Sequence, residues 1–265
     1  IQSMAMSPAT GSAPTTRHTG AQGLRHGTVK LPVADGTLDM YFAAPENRTN
    51  LPVILVVQEI FGVHEHIKDV CRRFAHEGYL AVSAELYQRQ GDAASYTDIA
   101  RLLQELVARV PDEQVLADLD ACVAWASKNG GDARRVGVTG FCWGGRITWL
   151  YAAHNPQCKA GVAWYGRLVQ GHGPLHVRHP VDVAPRLHAP VLGLYGGRDA
   201  GIPLDSVERM KAALASGNDV SRVSEIVVYP DSDHAFFADY RPSYNATDAH
   251  DAWDRALAWF SKYLG

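Results

Sequence analysis

The stretch Val136-Gly-Val-Thr-Gly-Phe-Cys-Trp-Gly-Gly145, with Ile147, Leu150 and Tyr151 following at helical spacing, decides how this chain folds. A β-type run ends in a glycine-flanked turn and a helical pattern starts at once, as in the G-x-S-x-G elbow. Gly140 and Gly144 let the backbone turn sharply, so the side chain between them stands exposed between the carboxyl end of a strand and the amino end of a helix. Cys142 occupies the position that serine holds in that motif. Helix amino ends stabilise negative charge, so a thiol placed there is disposed toward the nucleophilic thiolate. Taken alone, the same pattern also suits a buried cysteine in a glycine-rich turn.

Two later strand ends carry matching residues. Residues 191–195 run into Gly196-Gly-Arg-Asp199, and residues 224–229 run into Pro230-Asp-Ser-Asp-His234. Nucleophile, acid, histidine is the chain order of this hydrolase architecture, with the acid after a late strand orienting the histidine. By itself Asp199 would read as a turn aspartate capping its own backbone. Together the three strand ends assign Cys142 as nucleophile, His234 as base and Asp199 as the orienting acid. The loop after the first core strand, Gln58-Glu-Ile-Phe-Gly62, adds a carboxylate, Glu59, in the crevice at the sheet's carboxyl end. One oxyanion amide comes from that loop and one from the residue after the nucleophile, which makes Ile60 and Trp143 the expected backbone donors.

Working outward, residues 28–33 and 38–42 flank Ala34-Asp-Gly-Thr37 and read as a leading hairpin at the sheet edge. Residues 53–57, Val-Ile-Leu-Val-Val, are the kind of β-branched run that is buried on both faces of a parallel sheet. Ile67, Val70, Cys71 and Phe74 predict a helix that stops by Gly78, and residues 79–84 make the next strand. Val115, Leu119, Cys122, Val123 and Ala126 mark a second long helix. Residues 135–139 and 160–164 add strands, and Trp253, Ala256, Leu257 and Phe260 predict a closing amphipathic helix. Alternating units of this kind imply an α/β-hydrolase fold: a mostly parallel, doubly wound sheet flanked by helices, in a single domain. Residues 166–189 hold Gly171, Gly173, Pro174, Pro180, Pro185 and several histidines, and are expected to form a long irregular loop at the substrate entrance.

These motifs resemble the dienelactone hydrolase family, also called carboxymethylenebutenolidases. The resemblance runs from about Gly27 to the C-terminus through Gln58-Glu-Ile-Phe-Gly62, Glu85-Leu-Tyr87, Gly140-Phe-Cys-Trp-Gly-Gly145, Gly197-Arg-Asp199 and Asp233-His-Ala-Phe236. It implies an ester or lactone hydrolase with a Cys-His-Asp triad and no metal or organic cofactor. It also implies that Glu59 hydrogen-bonds the Cys142 thiol and turns to deprotonate it when substrate arrives; a buried, paired structural acid is the other reading of that residue. Family lactonases grip a substrate carboxylate with two arginines. Arg89, in Tyr87-Gln-Arg89, matches the first, while the second position falls at Ala238, with Asp239 next and Arg241 further on. Tyr165 is expected to line the same pocket, with Trp164 the alternative.

Composition narrows the remaining classes. A chain of 265 residues, 46% apolar and 20% charged, can bury one large core, and a formal charge of −3 carries no footprint for nucleic acid or an anionic membrane surface. Small molecules are the expected partners, with the protein a monomer or homodimer. Cys71, Cys122, Cys142 and Cys158 are too scattered for a disulfide framework or a zinc site, and Cys71 and Cys122 fall on core-facing helix positions. Neither His64 with His66, nor His172 with His176 and His179, has the spacing of a metal motif. The first 23 residues are rich in Ser, Thr, Ala and Gly, so we expect a flexible tail over residues 1–26 ahead of a catalytic domain spanning 27–265. The sequence leaves the location open: the cytoplasm, or the periplasm if an upstream signal peptide has been removed. Two other classes compete: a redox-sensitive thiol protein, which calls for a resolving cysteine near Cys142, and a binding module on the same fold, which calls for a broken triad.

Overall fold

The computed structural model describes residues 12–265. The apolar runs assemble into one eight-stranded sheet: β1 (Leu24–Val33), β2 (Gly36–Pro45), β3 (Leu51–Val57), β4 (Leu80–Ala84), β5 (Gly131–Phe141), β6 (Cys158–Trp164), β7 (Val191–Gly196) and β8 (Glu225–Tyr229). Its order is β1-β2-β4-β3-β5-β6-β7-β8. The β1-β2 hairpin pairs antiparallel with itself and with β4, and every other pairing is parallel. Every residue of β3 is buried, which is why that strand reads as a continuous apolar run and not as an alternation.

Parallel strands need crossovers, and helices supply them on both faces. Helices α1 (Glu65–His76) and α8 (Ala246–Leu264) share one face, where Phe74 lies 4.7 Å from the Trp253 ring and 5.8 Å from the Phe260 ring between centroids. On the other face α3 (Asp112–Lys128) and α4 (Trp143–His154) pack together against the sheet centre. The remaining helices are α2 (Ile99–Glu105), α5 (Pro180–Val183), α6 (Leu204–Ala215) and α7 (Asp219–Arg222). The chain is therefore an α/β-hydrolase fold with one core. Cys71, Cys122 and Cys158 are buried free thiols within it. Among the described residues, no helix is long and apolar enough to cross a membrane.

Three readings shift. Strand β5 starts at Gly131, four residues earlier than the apolar pattern indicates, because Asp132, Arg134 and Arg135 mask its first turns with charge. The segment 166–189 is not wholly irregular: it contains α5 and a 3₁₀ turn at Ala184–Arg186. The expected tail also ends early, since Leu24 to His26 belong to β1, paired with Pro45 to Ala43. Ahead of it, Thr19 donates to the Asp69 carboxylate through both its amide (2.5 Å) and its hydroxyl (3.0 Å), and Arg72 Nε donates to the Thr19 carbonyl at 2.8 Å. Residues 1–11 of the expected tail lie outside the described residues.

Candidate active site

The sharp turn between β5 and α4 is built by close packing of backbones. A Cβ on Gly144 would sit 2.4 Å from the Val57 carbonyl oxygen, and one on Gly140 would sit 2.0 Å from the Gly144 oxygen. Glycine at both positions lets β3, β5 and the start of α4 meet. Cys142 takes up the bend at φ +60°, ψ −115°, its amide bonded to the Trp164 carbonyl at 3.0 Å and its carbonyl capping Gly145 at 2.9 Å. The turn thus presents its side chain, partly exposed, above the sheet.

Strand ends then converge on the sulfur. His234 Nε2 lies 3.3 Å from Cys142 Sγ, and His234 Nδ1 lies 2.5 Å from Asp199 Oδ2. The other Asp199 oxygen accepts the Gly201 amide at 2.9 Å, which fixes the carboxylate plane. Burial pulls the His234 imidazolium down, but negative charge on the Cys142 sulfur and the Asp199 carboxylate outweigh it and hold the group at about 10. Among the described residues, no protein acceptor takes the Ile60 or Trp143 amide. Both residues border the same cavity, of about 320 Å³, as Cys142 and His234.

Strain gathers here. Among the described residues, five non-glycine residues have positive φ; two are Asn47 and Asn50, which tolerate the left-handed region, and the other three are Cys142, Tyr165 (+36°) and Ala235 (+62°). Tyr165 follows β6 into the cavity wall, its ring 5.3 Å from that of His234 and its buried hydroxyl without a partner among the described residues. Trp164 lies beneath, its indole donating to Thr139 Oγ1 at 3.0 Å.

Glu59 lines the cavity but makes no hydrogen bond to Cys142. Its Oε1 accepts from His64 Nε2 and from the Tyr240 hydroxyl, each at 2.8 Å, and its buried Oε2 has no partner among the described residues. Burial alone would raise this carboxyl; the His64 hydrogen bond and charge, with His66 and Arg241 beyond, lower it to about 2.

Arg89 requires a correction. It does not line the cavity: its guanidinium is bidentate to Asp118, at 2.7 and 2.9 Å, and its Nε and Nη2 also bond Asp35. Two carboxylates satisfy its donors, which leaves no fork for a substrate. Instead Arg241 and Arg167 border the cavity. Arg241 sits 5.8 Å from the Phe61 ring centroid and, among the described residues, its side chain has no hydrogen-bond partner. Arg167 reaches the Gly171 carbonyl through Nη1 at 2.8 Å. His172, from the same segment, lines the cavity, and burial together with the neighbouring Arg167 holds its imidazole at about 3, neutral at ordinary pH. Ile99 and Leu103 of α2 supply an apolar wall. A helix as short as α2 carries too little periodicity to be read from sequence, and the Arg167 and His172 side chains reach the site only through the packing of residues 166–189. That packing rests on Arg146, fully buried, which is bidentate to Asp112 at 2.8 and 2.9 Å and donates to the Arg178 carbonyl at 2.7 Å. Among the described residues, no group of three or more His, Cys, Asp or Glu side chains is placed to hold a metal ion.

Known proteins repeat this architecture. A Salmonella typhimurium protein, provisionally named a carboxymethylenebutenolidase, is 57% identical over 254 residues, covering 96% of this chain and 93% of its own. A similarly named Escherichia coli K12 protein is 57% identical over 240 residues, covering 90% and 88%. A crystal structure from Klebsiella pneumoniae, described provisionally as a dienelactone hydrolase, superposes with a TM-score of 0.88 at 58% identity, covering 91% of this chain and 99% of that one. The sequence model of the dienelactone hydrolase family matches residues 38–264, and the chain belongs to that family of hydrolases.

Proposed function

We propose that this hydrolase cleaves small carboxylic esters or lactones that carry a second, ionised carboxylate, using Cys142 as nucleophile. The carrying observation is the line Asp199–His234–Cys142, with contacts of 2.5 and 3.3 Å, beside two amides without protein acceptors. With its proton already carried by His234 Nε2, the Cys142 sulfur adds to the carbonyl carbon. The oxyanion that forms is held by the Ile60 amide, in the loop after β3, and the Trp143 amide at the amino end of α4. Collapse expels the alcohol, which takes the proton from His234, and leaves a thioester on Cys142. Water, deprotonated by His234, then attacks the thioester; the acid departs and the thiol is restored. Asp199 holds the imidazole in the tautomer that both steps need.

Charge selects the substrate. Arg241 and Arg167 border the cavity together with the apolar Ile99, Leu103, Phe61 and Ile202, so a carboxylate finds cationic partners there and an apolar body finds packing. The names of the relatives favour a lactone of the dienelactone type as the anionic substrate. The test is steady-state hydrolysis of a dienelactone beside a neutral short-chain p-nitrophenyl ester, with Cys142→Ala as control. Preference for the anionic lactone by about a hundredfold or more in kcat/KM, abolished with the ester activity in Cys142→Ala, is the expected outcome. Equal turnover of both substrates would remove the carboxylate requirement, and an active Cys142→Ala would remove the nucleophile.

A further inference from the structure

We propose that His64 is a positioning residue for the chemistry at Cys142: with Tyr240 it clamps Glu59 in one orientation, without a hydrogen bond to the thiol, and leaves the thiol proton to His234. This rests on the reading of Cys142 as nucleophile and adds the device that sets the state of the neighbouring acid. Glu59 is 1% exposed, and an isolated buried carboxylate is costly unless donors surround it. Two donors, the His64 imidazole and the Tyr240 hydroxyl, converge on the same oxygen, Oε1, each at 2.8 Å. The rings of His64 and Tyr240 meet edge-on with centroids 5.1 Å apart, and Phe61 meets His64 edge-on from another side at 6.1 Å, so the imidazole itself is packed in place. His64 is the residue just ahead of α1 and does not cap it with its side chain, so its imidazole is free for this contact.

The groups facing Glu59 come from several elements. His64 precedes α1 and His66 lies on it; Tyr240 and Arg241 precede α8; Tyr165 follows β6; and Cys142 shares the cavity. His66 contributes charge without a bond, since among the described residues neither ring nitrogen has a hydrogen-bond partner and Asp239, 3.6 Å away, is already paired with Arg73 at 2.7 Å. Of the groups that lower this carboxyl, His64 alone among the described residues hydrogen-bonds it. Without it, burial dominates and Glu59 takes up a proton within the working pH range. The freed side chain can then turn toward the sulfur.

The experiment follows alkylation of Cys142 by iodoacetamide in the full chain from pH 4 to 9. It needs no substrate, and Cys71, Cys122 and Cys158 are buried. A carboxylate near the sulfur repels the thiolate and a neutral carboxyl does not, so a Glu59 that titrates adds a step to the plot of log rate against pH. We expect none from Glu59 in the wild type and a new step between about pH 5 and 8 in His64→Ala. His64→Gln, whose amide can donate to Oε1, should keep the wild-type curve, and the double variant His64→Ala/Glu59→Gln should lose the new step. At pH 7 the kcat for a neutral ester should fall about tenfold in His64→Ala and less than about threefold in His64→Gln, with KM little changed. A His64→Ala curve that superposes on the wild type, or a new step that survives Glu59→Gln, overturns the proposal. Where His64→Ala does not fold, His64→Leu removes the same donor with less loss of packing; it must give the same step, and its absence is equally fatal. Failure of the nucleophile reading is distinct, because it appears as hydrolysis retained in Cys142→Ala.

Discussion

Position along a strand made the central residues legible, and partners at long range hid the others. Cys142, Asp199 and His234 each follow a strand in a parallel sheet, so the sheet itself gathers them at one end. Arg89 matched a local Tyr-x-Arg pattern, but nothing in that pattern discloses Asp118 and Asp35, which come from 29 and 54 residues away. The Tyr240 contact with Glu59 spans 181 residues, beyond any spacing rule. Two substitutions separate the arginines. Arg241→Ala should raise KM for an anionic ester about tenfold or more while a neutral ester is hardly affected, checked by paired Michaelis–Menten curves. Arg89→Ala should leave both KM values alone and cost about 2 kcal/mol of stability by stranding the buried Asp118, read from urea unfolding.

Elements were legible where their periodicity was long, and less so where charge or shortness obscured it. Helix α8 shows its apolar stripe over nineteen residues, whereas α2 has only seven. The β5-α4 turn was readable because its glycines answer to a close approach of backbones, which no other residue permits. Gly144→Ala should therefore displace the turn or prevent folding, at a cost of about 3 kcal/mol or more, measured by thermal unfolding together with loss of esterase activity. Residues 166–189 depend on Arg146 in a different way. Arg146→Ala leaves Asp112 and the Arg178 carbonyl without their donor, so we expect a loss of about 3–5 kcal/mol and early proteolytic cleavage between residues 166 and 189, mapped by mass spectrometry. A segment still resistant to cleavage in that variant would show that its other contacts, such as His176 Nε2 with the Val110 carbonyl at 3.0 Å, suffice.

For the whole molecule, titrating groups set a pH optimum of stability. Burial is the main cause holding the His172, His176 and His179 imidazoles below their ordinary value. The unfolded chain therefore binds more protons below about pH 6.5, and stability falls as acid is added, for His172 until about 3. His234 works in the opposite sense. Its raised value gives a contribution fully present below about 6.5 and lost as pH rises through about 10, and the buried Cys71, Cys122 and Cys158 thiols, pushed up by desolvation, add to the alkaline loss. Glu59 persists as a stabilising ion until pH falls below about 4.5 toward 2. Thermal midpoints measured from pH 4 to 10 should thus peak near pH 6.5, and His172→Gln should flatten the acid side.

The left-handed backbone at Cys142, Tyr165 and Ala235 bears on how such an enzyme can be improved. Each such conformation costs a non-glycine residue about 1–3 kcal/mol, and the rest of the fold supplies the energy that keeps it. Selection for heat resistance will find ready gains in relaxing those positions, for example by glycine at 165 or 235, and each gain loosens the cavity wall or the histidine that the strain holds in register. Thermostability is then won more safely at the far edge of the sheet, in the β1-β2 hairpin, where no residue of the cavity resides.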